Sequence, residues 1–200
     1  MSVHETIDNG IAILTMDNPP VNALNSTDAY FIAEKICSYS NQKNNIKVVL
    51  LRSSGNGFCA GVDIKEMQGL PENEGILKAN HSCYEMADAI HNSKIPVIVA
   101  VNGHCLGSGI LIAGSADIVI ASDDATFGLP EVDNGALGGA SHLMRLVPPQ
   151  KARWMLYTCE TATAQELFSY GSVLQVVESE KLENTSMEAA TKIAEKNGTF

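Results

Sequence analysis

Positive charge is what this chain lacks most. Its 13 lysines and arginines stand against 23 aspartates and glutamates, for a formal net charge of −10. Nucleic-acid binding through phosphate neutralisation needs a basic face. A polybasic membrane contact needs clustered cations. Lys and Arg are scattered here, so neither nucleic acid nor membrane is expected as a partner. No apolar stretch reaches the ~18 residues a membrane span needs. Residues 1–7 hold no basic region followed by an apolar run, so no secretory signal is expected. The five cysteines, Cys37, Cys59, Cys83, Cys105 and Cys159, are odd in number and show no C-x-x-C spacing. They read as reduced, mostly buried thiols of a cytoplasmic protein. No metal-ligand spacing appears, and no internal repeat or linker divides the chain.

What is present is a globular composition. Hydrophobic residues make up 45% and charged residues 18% of the 200 positions, which is too apolar for a disordered chain. A chain of this size buries roughly 70% of its unfolded surface in one core. Residues 3–7 and 11–16 flank Asp8-Asn9-Gly10, a turn suited to positive φ, so a β-hairpin is predicted. Asn18-Pro19-Pro20 ends its second strand. Asn25-Ser26-Thr27 can cap a helix running to Tyr39, with Ile32, Ile36 and Tyr39 at helical spacing. The short apolar runs 47–52, 95–101 and 117–121 read as buried strands. Segment 66–75, with Gly69, Pro71, Asn73 and Gly75, reads as a mobile loop before a helix over 76–91. A further helix opens at Gly109 and runs to Ser115. Helices follow over 140–147, 150–159 and 163–170, then a strand over 172–177 and an amphipathic helix over 181–196. Strand, loop and helix alternate, which indicates the α/β class. Periodicity alone leaves a Rossmann-type sheet open.

Two small-residue loops follow apolar strands. One is Phe58-Cys59-Ala60-Gly61-Val62-Asp63-Ile64-Lys65. The other is Val101-Asn102-Gly103-His104-Cys105-Leu106-Gly107-Ser108-Gly109. Small residues let backbone N–H groups approach a ligand oxygen, and two N–H groups aimed at one oxygen make an oxyanion hole. A third block runs from Ala125-Thr126-Phe127-Gly128-Leu129-Pro130-Glu131 through Gly135. In this order the blocks resemble the enoyl-CoA hydratase/isomerase (crotonase) family, with its F-x-A-G-x-D-[IL] loop, N-G-x-x-x-G-x-G loop and F-x-x-P-E segment. The resemblance covers about 11–177.

The resemblance implies a crotonase-like spiral of ββα units with helices packed outside, as a single domain over 1–200. It implies an acyl-CoA substrate whose thioester oxygen sits between the backbone N–H groups of Val62 and Ser108, beside Ala60 and Gly107. It places the CoA adenine and phosphates near Asp63, Ile64 and Lys65, with Asn22, Ala23 and Leu24 on the facing wall. It implies a homotrimer or hexamer and no cofactor beyond the coenzyme A of the substrate. The family usually continues with helices that cover the acyl site and join subunits, so a chain stopping at Phe200 is expected to be incomplete or a shortened member.

A thioester becomes an enolate when a proton or a carbon leaves its α-position, and one fixed N–H donor is typically worth ~3–4 kcal/mol to that charge. Glu131 follows Pro130, which suits a helix N1 position. By resemblance, Glu131 matches one of the family's two catalytic glutamates and is the acid/base candidate. The other glutamate's position is Leu111, between Ile110 and Ile112. Hydration in the two-glutamate members uses both carboxylates, whereas single-glutamate members include double-bond isomerases. His142 follows Gly138-Gly139-Ala140-Ser141, a segment that lines the acyl pocket in related members. It is the second catalytic candidate, able to orient water or hold a polar acyl group. Segments 61–68 and 125–148 resemble a narrower branch that includes steroid-degrading acyl-CoA hydrolases, which open a ring by C–C cleavage. Ser108 departs from the glycine usual there. His104, Cys59 and Cys105 read as packing. The expectation is therefore a single-glutamate acyl-CoA enzyme, either isomerase or C–C hydrolase. An enoyl-CoA hydratase is one alternative. A non-catalytic assembly module is another, kept open by Leu111.

Overall fold

A computed structural model describes residues 2–39, 45–71, 73–134 and 138–196. Gly135, at the end of the third block, and Phe200 lie outside the described residues. In chain order the elements are β1 (Val3–Asp8), β2 (Ile11–Met16), α1 (Ser26–Tyr39), β3 (Val48–Ser53), α2 (Ile64–Gln68) and α3 (Glu74–His91). Then come β4 (Val97–Val101), β5 (His104–Leu106), α4 (Ser108–Ser115), β6 (Ile118–Ser122), β7 (Thr126–Gly128) and α5 (Ala140–Leu146). The remaining elements are α6 (Pro149–Thr158), β8 (Ala162–Thr163), α7 (Ala164–Tyr170), β9 (Gln175–Val177) and α8 (Leu182–Ala194).

The predicted hairpin forms as expected, with Asn9 at φ 47° and Gly10 at φ 82° closing an antiparallel β1–β2 pair. From β2 onward the main sheet is parallel, in the order β1-β2-β3-β4-β6-β9. Strands β3 and β4 are apolar on both faces because both faces are covered. Val49, Leu51, Val97 and Val99 pack into the larger core with α1, α3 and α4, and Leu50, Ile98 and Ile120 pack on the other side with α8.

A second, three-stranded sheet, β5-β7-β8, lies outside the sequence expectations. Its strands are two or three residues long and carry no readable period. Isolated parallel bridges Leu24–Val62 and Cys59–Cys105 extend the same layer. Each turn of the spiral thus gives one strand to the main sheet, a short one to the second layer, and a helix. The units are β3 with Cys59 and α2–α3, β4 with β5 and α4, and β6 with β7 and α5. This is the expected ββα spiral.

The segment read as a mobile loop is a correction. Residues 64–68 form α2, and α3 begins two residues before the expected start, at Glu74. Asp63 caps α2 by accepting the N–H groups of Lys65 (2.9 Å) and Glu66 (3.4 Å). Glu66 then ties α2 to both neighbours: it accepts the Ser26 N–H (2.7 Å) and pairs with Lys78 of α3 (2.8 Å). Burial pushes its carboxyl up, but Lys78 and Ser26 outweigh burial, and its pKa lies below the ordinary value. Gly75 is needed where α3 meets α2, since a Cβ there would fall 2.1 Å from the Met67 carbonyl oxygen.

Candidate active site

The two small-residue loops are stitched together by backbone. Cys59 N–H donates to His104 O (3.0 Å) and Leu106 N–H donates to Cys59 O (2.8 Å). Leu24 clamps the first loop from the other side. Its N–H donates to Gly61 O (2.8 Å), and its carbonyl accepts the Asp63 N–H (2.9 Å). These bonds fall on either side of Val62, whose own N–H has no acceptor among the described residues.

In the second loop, Gly107 N–H donates to Gly128 O (3.2 Å) and Ile110 N–H donates to Gly107 O (2.9 Å). Ser108, the first residue of α4, lies between them, and its N–H likewise has no acceptor among the described residues. Gly107 adopts φ 55°, and a Cβ on it would come within 3.0 Å of Gly61 Cα. The loops therefore touch, and only glycine fits the contact. Ser108 finds room for its side chain beside Cys59, with Oγ 3.4 Å from Sγ. Burial raises the Cys59 thiol above its ordinary pKa, so the sulfur is a packing atom rather than a thiolate.

Glu131 completes the arrangement. Its Oε1 lies 3.1 Å from where a Gly107 Cβ would stand. Its Oε2 is buried with no hydrogen-bond partner among the described residues. Burial raises its pKa above the ordinary carboxylate value, partly opposed by a backbone hydrogen bond. An unpartnered carboxylate oxygen beside two unpartnered N–H groups is a site built for a ligand with both an acceptor oxygen and a transferable proton.

Glu131 and Val62 line a cleft of about 520 Å³, and Ser108 lies buried behind its Gly107 wall. Ala60, Val62, Ile64, Gly107 and Glu131 all reach it, as the sequence suggests. Met67, Leu70 and Ile76 also line it; the first two were hidden in the segment read as a loop, and Ile76 opens the helix expected after it. Lys65 is exposed next to the cleft and has no side-chain partner among the described residues.

Other sequence candidates serve the scaffold. Asn22 is 5% exposed and holds φ 53°. Its amide donates to Ser54 O and Gly57 O (both 2.7 Å) and accepts the Asn18 N–H (2.7 Å). With its polar atoms engaged, the Asn22 side chain acts as a loop clamp. The Ala23 carbonyl accepts from Asn18 Nδ2 (2.7 Å), and Leu24 is buried. Asp63 is a helix cap first. His104 packs as expected: Nε2 lies 3.0 Å from Val21 O, and its ring occupies the space beside Gly57.

Leu111, Gly139 and His142 form a separate group. A Cβ on Gly139 would touch Leu111 at 3.0 Å. Leu111 and His142 line a second cleft of about 530 Å³, whose lining does not include Glu131. His142 Nδ1 lies 3.0 Å from Ser115 Oγ. Burial, then the nearby charges of Arg145 and His91, hold its pKa below the ordinary imidazole value. The structure thus brings Glu131 together with the two loops and sets His142 in the adjoining cleft. Sequence spacing carried no signal for that separation.

This fold and this paired-loop site define a scaffold able to hold a carbonyl oxygen between backbone N–H groups, and comparison with known proteins identifies it. The profile of the enoyl-CoA hydratase/isomerase family matches residues 6–199. The chain belongs to that family. It is 46% identical to a (7aS)-7a-methyl-1,5-dioxo-2,3,5,6,7,7a-hexahydro-1H-indene-carboxyl-CoA hydrolase of Rhodococcus jostii, over 98% of this chain and 76% of that one. It is 42% identical to the protein of the same name from Mycobacterium tuberculosis, over 96% and 77%. Among solved structures, an enoyl-CoA hydratase from Bacillus anthracis superimposes with a TM-score of 0.90 at 28% identity, covering 98% of this chain and 78% of that one.

Proposed function

We propose that this protein hydrolyses a carbon–carbon bond of a cyclic β-keto acyl-CoA thioester, with Glu131 as acid/base and the Val62 and Ser108 N–H groups as oxyanion hole. The buried, unpartnered Oε2 of Glu131 beside those N–H groups carries the reading. Support for cleavage over hydration comes from the two hydrolase relatives and from apolar Leu111 in place of a second carboxylate.

In this mechanism the thioester oxygen rests between the two N–H groups. Glu131 takes a proton from water, and the hydroxide oxygen adds to the β-ketone carbon. The tetrahedral alkoxide collapses to a carboxylic acid and the Cα–Cβ bond breaks. Its electron pair moves onto the thioester as an enolate, which the N–H groups stabilise. Glu131 returns its proton to Cα. One water is consumed, and the products are a carboxylate and a CoA thioester joined by the rest of the opened ring. A raised pKa suits Glu131 to both transfers near neutral pH. Lys65 serves as a point charge for a CoA phosphate. The expected trimer is part of the same reading, supported by exposed Trp154, Tyr157, Phe168 and Tyr170 on α6 and α7.

Double-bond isomerisation is the second reading, because one carboxylate can also shuttle one proton between carbons. Turnover of cyclic β-keto, 3-enoyl and crotonyl CoA thioesters by the wild type and Glu131→Gln separates the readings. Cleavage of the β-keto ester, lost in the variant, is expected. Fast crotonyl-CoA hydration that survives Glu131→Gln refutes the mechanism.

A further inference from the structure

The second cleft contains a cationic group that the proposed reaction leaves unused. Arg145 of α5 points its guanidinium at His91 of α3, with Nη1 2.6 Å from the imidazole Nδ1. An Arg stays protonated at any working pH. The guanidinium therefore donates to the His91 ring, whose Nε2 also lies 3.4 Å from Nη1. No carboxylate lies within ion-pair distance of Arg145 among the described residues. In a chain with ten more acids than bases this is conspicuous. Among the described residues the cleft's only carboxylate is Asp88, and its Oδ1 accepts from Asn92 Nδ2 (2.8 Å). His142 stands on the same wall, with Nδ1 at Ser115 and no partner for Nε2 among the described residues.

The two clefts lie along one face of α3. Ile76 lines the Glu131 cleft, whereas Asn80, Cys83, Ala87 and His91 line the second, at steps of three and four residues. Cys83 is buried on this face. Burial, then the charges of Cys59 and Glu131, push its thiol up to about 11. From Ile76 to His91 along the helix is about 22 Å at 1.5 Å per residue. The lining combines apolar Cys83, Ala87 and Leu111 with the Arg145 guanidinium, and its Asp88 carboxylate is engaged by Asn92.

We propose that the second cleft is an acyl-tail subsite that takes a distal carboxylate, received by Arg145 and assisted by Nε2 of His142. The proposal rests on the acyl-CoA reading above and narrows it to acyl groups that are apolar along their length and anionic at the far end. An Arg fork suits a carboxylate through two parallel N–H···O bonds.

The test compares CoA monoesters of α,ω-dicarboxylic acids, from glutaryl to dodecanedioyl, with methyl-ended acyl-CoAs of equal length. Binding is measured by calorimetry on the wild type, Arg145→Gln and Arg145→Lys, each checked for folding by thermal melt. At one chain length the carboxylate ester should bind at least tenfold tighter than its methyl-ended counterpart. The ratio should fall to about one in Arg145→Gln and recover in part in Arg145→Lys. No carboxylate preference at any length, or a preference that survives in Arg145→Gln, overturns the subsite while leaving the acyl-CoA reading intact. Failure of every CoA ester to bind overturns both.

Discussion

Replacing Glu131 by Gln should stabilise the fold while abolishing activity. The wild-type carboxylate is held in a partly buried place with one oxygen unpartnered. An unsatisfied buried polar group costs roughly 1–3 kcal/mol. Because Glu131 borders a cleft open to water, the low end applies, about 1 kcal/mol. Gln keeps the size and removes the charge. For a chain of this length that gain corresponds to a rise in Tm of about 2–4 °C. The pH dependence has a definite sign. The folded-state pKa is raised by burial above its unfolded value. Its contribution is therefore favourable below the ordinary carboxylate range and is lost as pH rises through the folded pKa. The advantage of Glu131→Gln should be full near neutral pH and should vanish on acidification toward the ordinary range. Denaturant unfolding of both proteins across that interval measures it, alongside a turnover loss of roughly 10²–10⁴-fold. A variant no more stable than wild type at neutral pH, or an advantage that persists in acid, refutes the electrostatic account of Glu131.

Other expectations follow from the same geometry. The acid limb of kcat/KM should lie above the ordinary carboxylate range, because burial holds the Glu131 proton, and a limb within that range contradicts its role as base. Gly107→Ala places a Cβ 3.0 Å from Gly61 Cα at φ 55°, so it should lower turnover sharply and cost at least about 1 kcal/mol of stability in denaturant titration. Asn22→Ala removes three hydrogen bonds from a buried clamp and should destabilise by about 2–4 kcal/mol, with a loss of CoA-ester affinity through a loosened first loop. Sedimentation should find a trimer or hexamer, and a well-behaved monomer counts against assembly through α6 and α7.

Much of this arrangement is readable from residues because the signals are local. Asn9-Gly10 specifies its hairpin by backbone conformation alone. The apolar runs of β3 and β4 announce strands buried on both faces, and Gly107-Ser108-Gly109 announces a close backbone approach. The second sheet is not readable, since strands of two or three residues are held by pairing with distant partners. Helix α2 was obscured by Gly69, Pro71 and Gly75, which sit just after it or at its contact with α3 rather than inside it. Asn22 and Asp63 are polar residues in functional loops, and sequence alone cannot distinguish a residue that touches ligand from one that holds the loop. The separation of His142 from Glu131 is set by tertiary packing of α5 against α4, which itself packs on α3, and spacing along the chain has no counterpart for it.

Isotope tracing tests the central claim most directly. A cyclic β-keto acyl-CoA is turned over in water enriched in ¹⁸O and deuterium, and the opened product is analysed by mass spectrometry. The mechanism predicts one solvent oxygen in the new carboxylate and solvent hydrogen at the thioester α-carbon, with both lost in Glu131→Gln. Deuterium exchange at the α-carbon without ring opening, or solvent oxygen carried as a hydroxyl on an intact carbon skeleton, would contradict C–C hydrolysis by this site.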